Sequence, residues 1–154
     1  MKVGHVMVRS VLTCELDHPL SCAAKIMWES DCGSVAVVDA EGKVIGMVTD
    51  RDICMAAYTR DLPLSQMTVG SACSNGLIAV LASDSVEAAE RLMQLHRVRR
   101  LPVVDVNDRP IGMLSISDLV RSAGADRRNG DLAPDAVIAT LAAIGRPHSM
   151  AQTE

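Results

Sequence analysis

Residues Gly46-Met-Val-Thr-Asp-Arg-Asp52 and Gly112-Met-Leu-Ser-Ile-Ser-Asp118 are two versions of one phrase: glycine, an apolar pair, a hydroxyl, two variable positions and a carboxylate. They stand 66 residues apart, Gly46 to Gly112, and the alignment extends outward without a gap. VVDAEGKVIGMVTDRDI (37–53) lies over VVDVNDRPIGMLSISDL (103–119), and LSCAAKIMWES (20–30) lies over VEAAERLMQLH (86–96). Further upstream, VLTCELDHPL (11–20) lies over LIAVLASDSV (77–86). Few residues are identical, but the apolar pattern persists from end to end, as an internal structural repeat requires.

Each copy spells the same order of elements. A short apolar strand, Val11–Cys14 or Leu77–Val80, leads through a turn into a helix. In the second copy Ser83-Asp84-Ser85 offers an N-cap, and Val86, Ala89, Leu92 and Met93 share one helical face. In the first, Pro19 suits the opening turn and Leu20, Ala23, Ala24 and Met27 form the matching face. A hairpin follows, Val35–Val38 with Val44–Val48 or Leu101–Val104 with Ile111–Leu114, its β-branched runs bounded by turn formers. The final helix starts at the repeated phrase and carries Ile53, Met55 and Ala56, or Leu119 and Val120, toward the core.

The pattern predicts an α+β fold of two β-α-β-β-α repeats packed as a pseudo-two-fold pair, with a short C-terminal helix. A unit of about 45 residues is too small to bury its own sheet face, so the copies must pack together. The first repeat occupies residues 1–60; 61–123 hold a crossing linker, an entry segment around Met67–Val69 and the second repeat. Val3–Val8 is the matching entry segment of the first copy. The tail, 124–154, begins in a Gly- and charge-rich stretch read as mobile, after which Val137, Leu141 and Ile144 stand at helical spacing over 135–144.

Composition narrows the function classes. The formal charge of −4 argues against nucleic acid or an anionic membrane as a partner, since both demand a basic face. No apolar run approaches the roughly 18 residues of a membrane span, and no signal peptide opens the chain, which places the protein in the cytoplasm. Hydrophobic residues make up 49%, yet there is no Phe, one Trp and one Tyr, so aliphatic side chains and nine Met must fill the interior. The five cysteines form no C-x-x-C pair, which gives no support for a metal site; they read as reduced, mostly buried thiols, with Cys54 on the core face of its helix. The four histidines are scattered, and no P-loop, G-x-S-x-G or H-E-x-x-H occurs, so nothing nominates an enzyme.

The tandem unit, each copy closing on VVD and then G-h-h-[T/S]-x-x-D, resembles the cystathionine-β-synthase (CBS) domain pair, or Bateman module, over roughly residues 3–123. TDRDICMAA and VRRLPVVD are similar to stretches of stand-alone prokaryotic members. The resemblance implies a regulatory, non-enzymatic module with two clefts that bind AMP, ADP, ATP or S-adenosylmethionine. It also implies a homodimer that signals to a regulated partner protein by conformational change. Under it, Asp52 and Asp118 hold ribose hydroxyls, Thr49 and Ser115 hold ribose or phosphate, and Arg100, with Arg99 beside it, reaches phosphate. The adenine slot falls to strand residues Leu12, Thr13, Val35 and Ala36, and to Ile78, Ala79, Leu101 and Pro102. The first copy has Gly33 and Ser34 where the second has the arginines, so its cleft holds phosphate less firmly or borrows an Arg from the other copy.

A second reading needs no ligand. [ST]-x-x-[DE] before an apolar run is also a capping box, worth on the order of 1 kcal/mol per helix. The chain would then be a ligand-independent dimerisation or interaction scaffold. Against this, both copies use Asp where capping boxes favour Glu or Gln, and a shorter carboxylate stays nearer the helix mouth, where it could grip a diol. A helix N-terminus with orphan N–H groups is also a ready anion site.

Overall fold

The computed structural model describes residues 1–74, 76–125 and 132–146. It is α+β, with two three-stranded sheets. In the first repeat β1 (Thr13–Glu15) leads to α2 (Leu20–Glu29), then β2 (Ser34–Val38), β3 (Val44–Thr49) and α3 (Asp50–Arg60), after a short opening helix α1 (Val3–Val6). In the second, β4 (Val80–Leu81) leads to α4 (Val86–His96), β5 (Arg100–Val104), β6 (Pro110–Ser115) and α5 (Ile116–Ala125); α6 (Pro134–Ile144) follows. The first strands are shorter and later than the pattern predicts, because only their ends pair with β2 and β5.

Register repeats as faithfully as sequence. β1 runs parallel to β2, and β2 pairs antiparallel with β3 so that Ala36 faces Met47 and Val37 faces Gly46. Sixty-six residues on, Pro102 faces Met113 and Val103 faces Gly112, and both hairpins shift register at the next residue, Val37/Val38 and Val103/Val104. The turns are built alike. Asp39 Oδ1 accepts the N–H groups of Glu41 and Lys43 at 3.0 and 2.8 Å, and Asp105 Oδ1 accepts those of Asn107 and Arg109 at 2.8 and 2.9 Å. Gly42 and Asp108 take the left-handed conformation each turn needs, at φ 78° and 61°.

Each repeat has its own core. Leu20, Ala23, Met27, Val35, Val37, Val48 and Ile53 form one; Val86, Ala89, Met93, Leu101, Val103, Leu114 and Leu119 form the other. A smaller seam of Ala36, Val38, Val44 and Val104 joins the sheets, and the Val44 N–H donates to the Asp108 carbonyl across it at 2.9 Å. Met55 and Val120 are about half exposed, contrary to the expected core face, because α3 and α5 bury only a narrow stripe. Cys14 alone is buried; Cys32 and Cys73 are half-buried, Cys22 and Cys54 exposed, and all five are free thiols, so the expectation of a mostly buried set is corrected.

The entry segments exchange partners. Met1, Val3, Val6 and Met7 pack into the second repeat's core, where Val3 N–H donates to Asp84 O and Val8 exchanges backbone bonds with Met113. Met67 and Val69 pack into the first, where Leu20 N–H donates to Met67 O. The linker continues along β3, with Ser74 N–H donating to Met47 O at 2.8 Å and Ser74 Oγ accepting from Met47 N–H at 3.1 Å. Each segment was expected on the repeat that follows it; each completes the other, since an edge strand takes whichever backbone reaches it. The two phrase glycines explain themselves here. A Cβ on Gly46 would lie 2.6 Å from Ser74 O, and one on Gly112 2.9 Å from Val8 O.

The start of the tail continues α5, and residues 126–131 lie outside the described set. Helix α6 packs on α4 and α5, burying Leu132, Val137 and Ile144 while Leu141 stays about half exposed. Thr140, fully buried, accepts from Gln94 Nε2 at 2.8 Å, and its one hydroxyl proton serves either Ala136 O or Glu90 Oε1. Burial pushes the Glu90 carboxyl above its ordinary range; Thr140 pulls it back less, and Glu87 adds to the rise. A carboxyl raised on folding binds more protons in the folded state, so its contribution falls as pH rises through the glutamate range. Glu90→Gln should therefore raise the melting temperature near neutral pH, and the gap from wild type should close as pH falls to about 4.

Candidate functional site

Both repeated phrases form complete capping boxes. Asp52 Oδ2 accepts from Thr49 N–H at 2.9 Å and from the Thr49 hydroxyl at 2.7 Å, while Thr49 Oγ1 accepts from Asp52 N–H at 3.2 Å. Ser115 and Asp118 repeat this at 2.7, 2.6 and 3.2 Å. Asp is long enough for the cap because Oδ2 serves both donors at once. The first turn of α3 is thereby largely spoken for: Asp50 N–H donates to Gly33 O and Arg51 N–H to Asp50 Oδ1. The expectation that these N–H groups await an anion is corrected, so an anion here must be held mainly by side chains.

The second oxygens differ. Asp118 is 6% exposed, and its Oδ1 is taken by the Arg121 guanidinium one turn on. Asp52 Oδ1 has no partner among the described residues, and Asp52 lines a cleft of about 1300 Å³. One wall of that cleft is Gly33, Ser34, Met47, Thr49 and Asp50; the other is Leu77, Ile78 and Arg97–Arg100. Trp28 and Asp31 stand at one side, and the end of α6, Ile144 to Arg146, at another.

The counterpart cleft, where Arg99, Arg100, Ser115, Ile116 and Ser117 replace Gly33, Ser34, Thr49, Asp50 and Arg51, is only about 260 Å³. Leu141 and Ile144 of α6, with Gly145 just after it, form its remaining wall. Small-molecule sites usually span about 300–1,000 Å³, so the first cleft has room for a nucleotide and the second falls short.

Five arginines (51, 97, 99, 100 and 146) and three aspartates (31, 50 and 52) line the large cleft. Among the described residues the ion pairs are Lys25–Glu29 and Arg121–Asp118, which leaves all five guanidiniums without a carboxylate within 4.0 Å. Arg100 belongs to the second repeat but reaches over: its Nη1 lies 3.6 Å from where a Cβ on Gly33 would be. The glycine leaves the space that this guanidinium borders.

The structure brings Thr49, Asp52, Arg99, Arg100 and Ile78 to one cleft. Ser115 is on the small cleft, and Asp118 lines neither. Leu12, Thr13, Val35, Ala36, Ala79, Leu101 and Pro102 also line neither; Val35 and Leu101 are core, and Ala36 belongs to the seam. Sequence reasoning missed Trp28, Asp31 and Arg146, whose spacing carries no motif, and Met47 and Asp50, which stand at the variable positions of the repeated phrase. Away from this cleft, Glu15, Asp17 and His18 bring three potential metal-ligand atoms within 4.8 Å of one another, although His18 Nδ1 already faces the Glu15 N–H at 3.4 Å.

Two pseudo-symmetric sheet-and-helix units, exchanging their entry segments and framing paired clefts, define a tandem-repeat module. The chain belongs to the CBS domain family: the family model matches residues 3–58 and 69–124. It is 34% identical to the CBS domain-containing protein YhcV of Bacillus subtilis over 119 residues, 76% of this chain and 81% of that protein. Among solved structures, Hypoxic Response Protein I, which has two coordinated zinc ions, is 27% identical with a TM-score of 0.71, covering 79% of this chain and 98% of that one. The CBS domain pair of MJ0100, in complex with 5-methylthioadenosine and S-adenosyl-L-methionine, shares the fold at 22% identity and TM-score 0.73, over 82% and 98% of the chains. No described helix is long and apolar enough to cross a membrane.

Proposed function

We propose that this chain is a regulatory module that holds one adenosine-containing ligand, AMP, ADP, ATP or S-adenosylmethionine, in the large cleft. The observation that carries this is the inequality of the two motif carboxylates: Asp52 keeps an oxygen free on a roomy, arginine-rich cleft, whereas Asp118 does not. Asp52 Oδ1 accepts from a ribose hydroxyl, Arg99 and Arg100 take the anionic end, and Ile78 and Met47 offer apolar cover for the base. The 5-methylthioadenosine and S-adenosyl-L-methionine bound by the CBS domain pair of MJ0100 support this reading. Closure around the ligand changes the angle between the repeats, and a partner protein reads that angle, with no catalytic step. A homodimer is part of the same reading, and exposed Met55 and Tyr58, one helical turn apart on α3, offer an apolar contact for it.

Titration of ligand-free protein with AMP, ADP, ATP and S-adenosylmethionine tests the reading. One equivalent should bind, and ligand at a hundred times its Kd should stabilise the fold by about 2.7 kcal/mol. Absence of any thermal shift with all four would overturn it. The scaffold reading also has an observation behind it, because the capping boxes account for both phrases without a ligand. It requires capture of a partner at full strength in nucleotide-free buffer.

A further inference from the structure

The large cleft has a rim that neither repeat supplies. Helix α6 delivers it, and the helix is held firmly: Thr140 is pinned to Gln94, Ile144 lies in the second repeat's core, and Gly145 N–H closes the last turn on Leu141 O at 2.9 Å. Ile144 and Gly145 line both clefts together with Arg99 and Arg100, so α6 ends beside that pair of guanidiniums. The next residue, Arg146, lines the large cleft alone. None of these three arginines has a carboxylate within 4.0 Å among the described residues.

We propose that Arg146 binds phosphate in the large cleft, and that the cleft therefore selects a nucleoside carrying a chain of phosphates over an uncharged nucleoside or a sulfonium. The nucleoside half of this inference rests on the adenosine reading above. Gathering like charges on one rim disfavours the empty state and favours an anion that bridges them, and guanidinium is the side chain suited to two-point phosphate contact. Arg146 also stands where the C-terminal carbonyls of α6 carry partial negative charge. A residue that served only to offset those carbonyls would affect thermal stability and be indifferent to how many phosphates a ligand carries. A phosphate ligand behaves in the opposite way.

The test is calorimetric titration of full-length wild type, Arg146→Ala and Arg146→Lys with adenosine, AMP, ADP and ATP, with tripolyphosphate as a base-free probe. The expected loss in Arg146→Ala is about tenfold or more for ATP and tripolyphosphate, shrinking through ADP and AMP to less than about twofold for adenosine. Lysine should restore part of the ATP affinity, and the melting temperature of the unliganded variants should stay close to wild type. An equal loss for adenosine and ATP, or no loss for either, overturns the role of Arg146. If wild type binds none of the nucleosides, the adenosine reading falls, and the tripolyphosphate series still decides whether Arg146 holds phosphate.

Discussion

Asp52→Asn should weaken binding of the preferred adenosine ligand by about tenfold to a hundredfold, whereas Asp118→Asn should leave it within about twofold. The comparison isolates one oxygen. An asparagine carbonyl can still accept from the Thr49 N–H and hydroxyl, now 2.9 and 2.7 Å from Asp52 Oδ2, so the cap of α3 survives. The other carboxylate oxygen is replaced by an amide that donates, and a ribose hydroxyl facing it loses a charged acceptor. In the second repeat that oxygen already belongs to Arg121, and α6 has narrowed the cleft beside it. Calorimetry measures both variants, and thermal melts confirm that the cap is retained. Equal losses would mean that the sites are equivalent and that the asymmetry of Asp52 and Asp118 has no bearing on the ligand.

Gly46→Val should lower stability by about 3 kcal/mol and the melting temperature by roughly 6–12 °C, the larger effect of the two phrase glycines. A Cβ there would meet the Ser74 carbonyl oxygen at 2.6 Å, and Ser74 cannot retreat without surrendering two hydrogen bonds to Met47, one from its N–H and one to its Oγ. Gly112→Val meets Val8 O at 2.9 Å and the Met7 sulfur at 2.7 Å, and a flexible thioether yields more easily than a carbonyl. Gly124→Ala supplies the control: no described residue lies within 4 Å of its added Cβ on α5, so it should be neutral or stabilising by up to about 1 kcal/mol. Chemical denaturation of the three variants checks the order. A Gly46 variant as stable as wild type would mean that the linker does not hold its place along β3.

These two residues show how far the sequence could be read. The 66-residue offset carried the fold because helix faces and strand alternation are local patterns, and Leu20, Ala23 and Met27 are buried as their spacing required. Gly46 and Gly112 announced a close approach, but what approaches is a segment from the neighbouring repeat. Local pattern is silent on such an exchange, because Met1–Val8 and Met67–Ser74 are equally suited to either sheet edge. The site suffered from the same limit. Asp52 and Asp118 look identical within their phrases, and the difference between them comes from Arg121 and from α6, which lies beyond the repeat. Arg100 was legible as a phosphate candidate, yet the cleft it borders is framed by Gly33, 67 residues earlier in the chain. Arg146 belongs to no motif, and only the docking of α6 gives it a position.

The exchanged entry segments also impose an order on synthesis. Residues 3–8 are synthesised well before their docking partners Ala82, Asp84 and Met113. The first repeat, by contrast, receives its missing segment at residues 67–74, soon after its own helices are complete. Once residue 74 has been made, the first repeat can therefore close while residues 3–8 still lack their partners, with Val3 and Val6 in water. The β5–β6 hairpin then gathers in residues 3–8, closing a loop of about a hundred residues at an entropic cost that grows only logarithmically with its length. The segment that opens the first repeat is thus held in place only by the second.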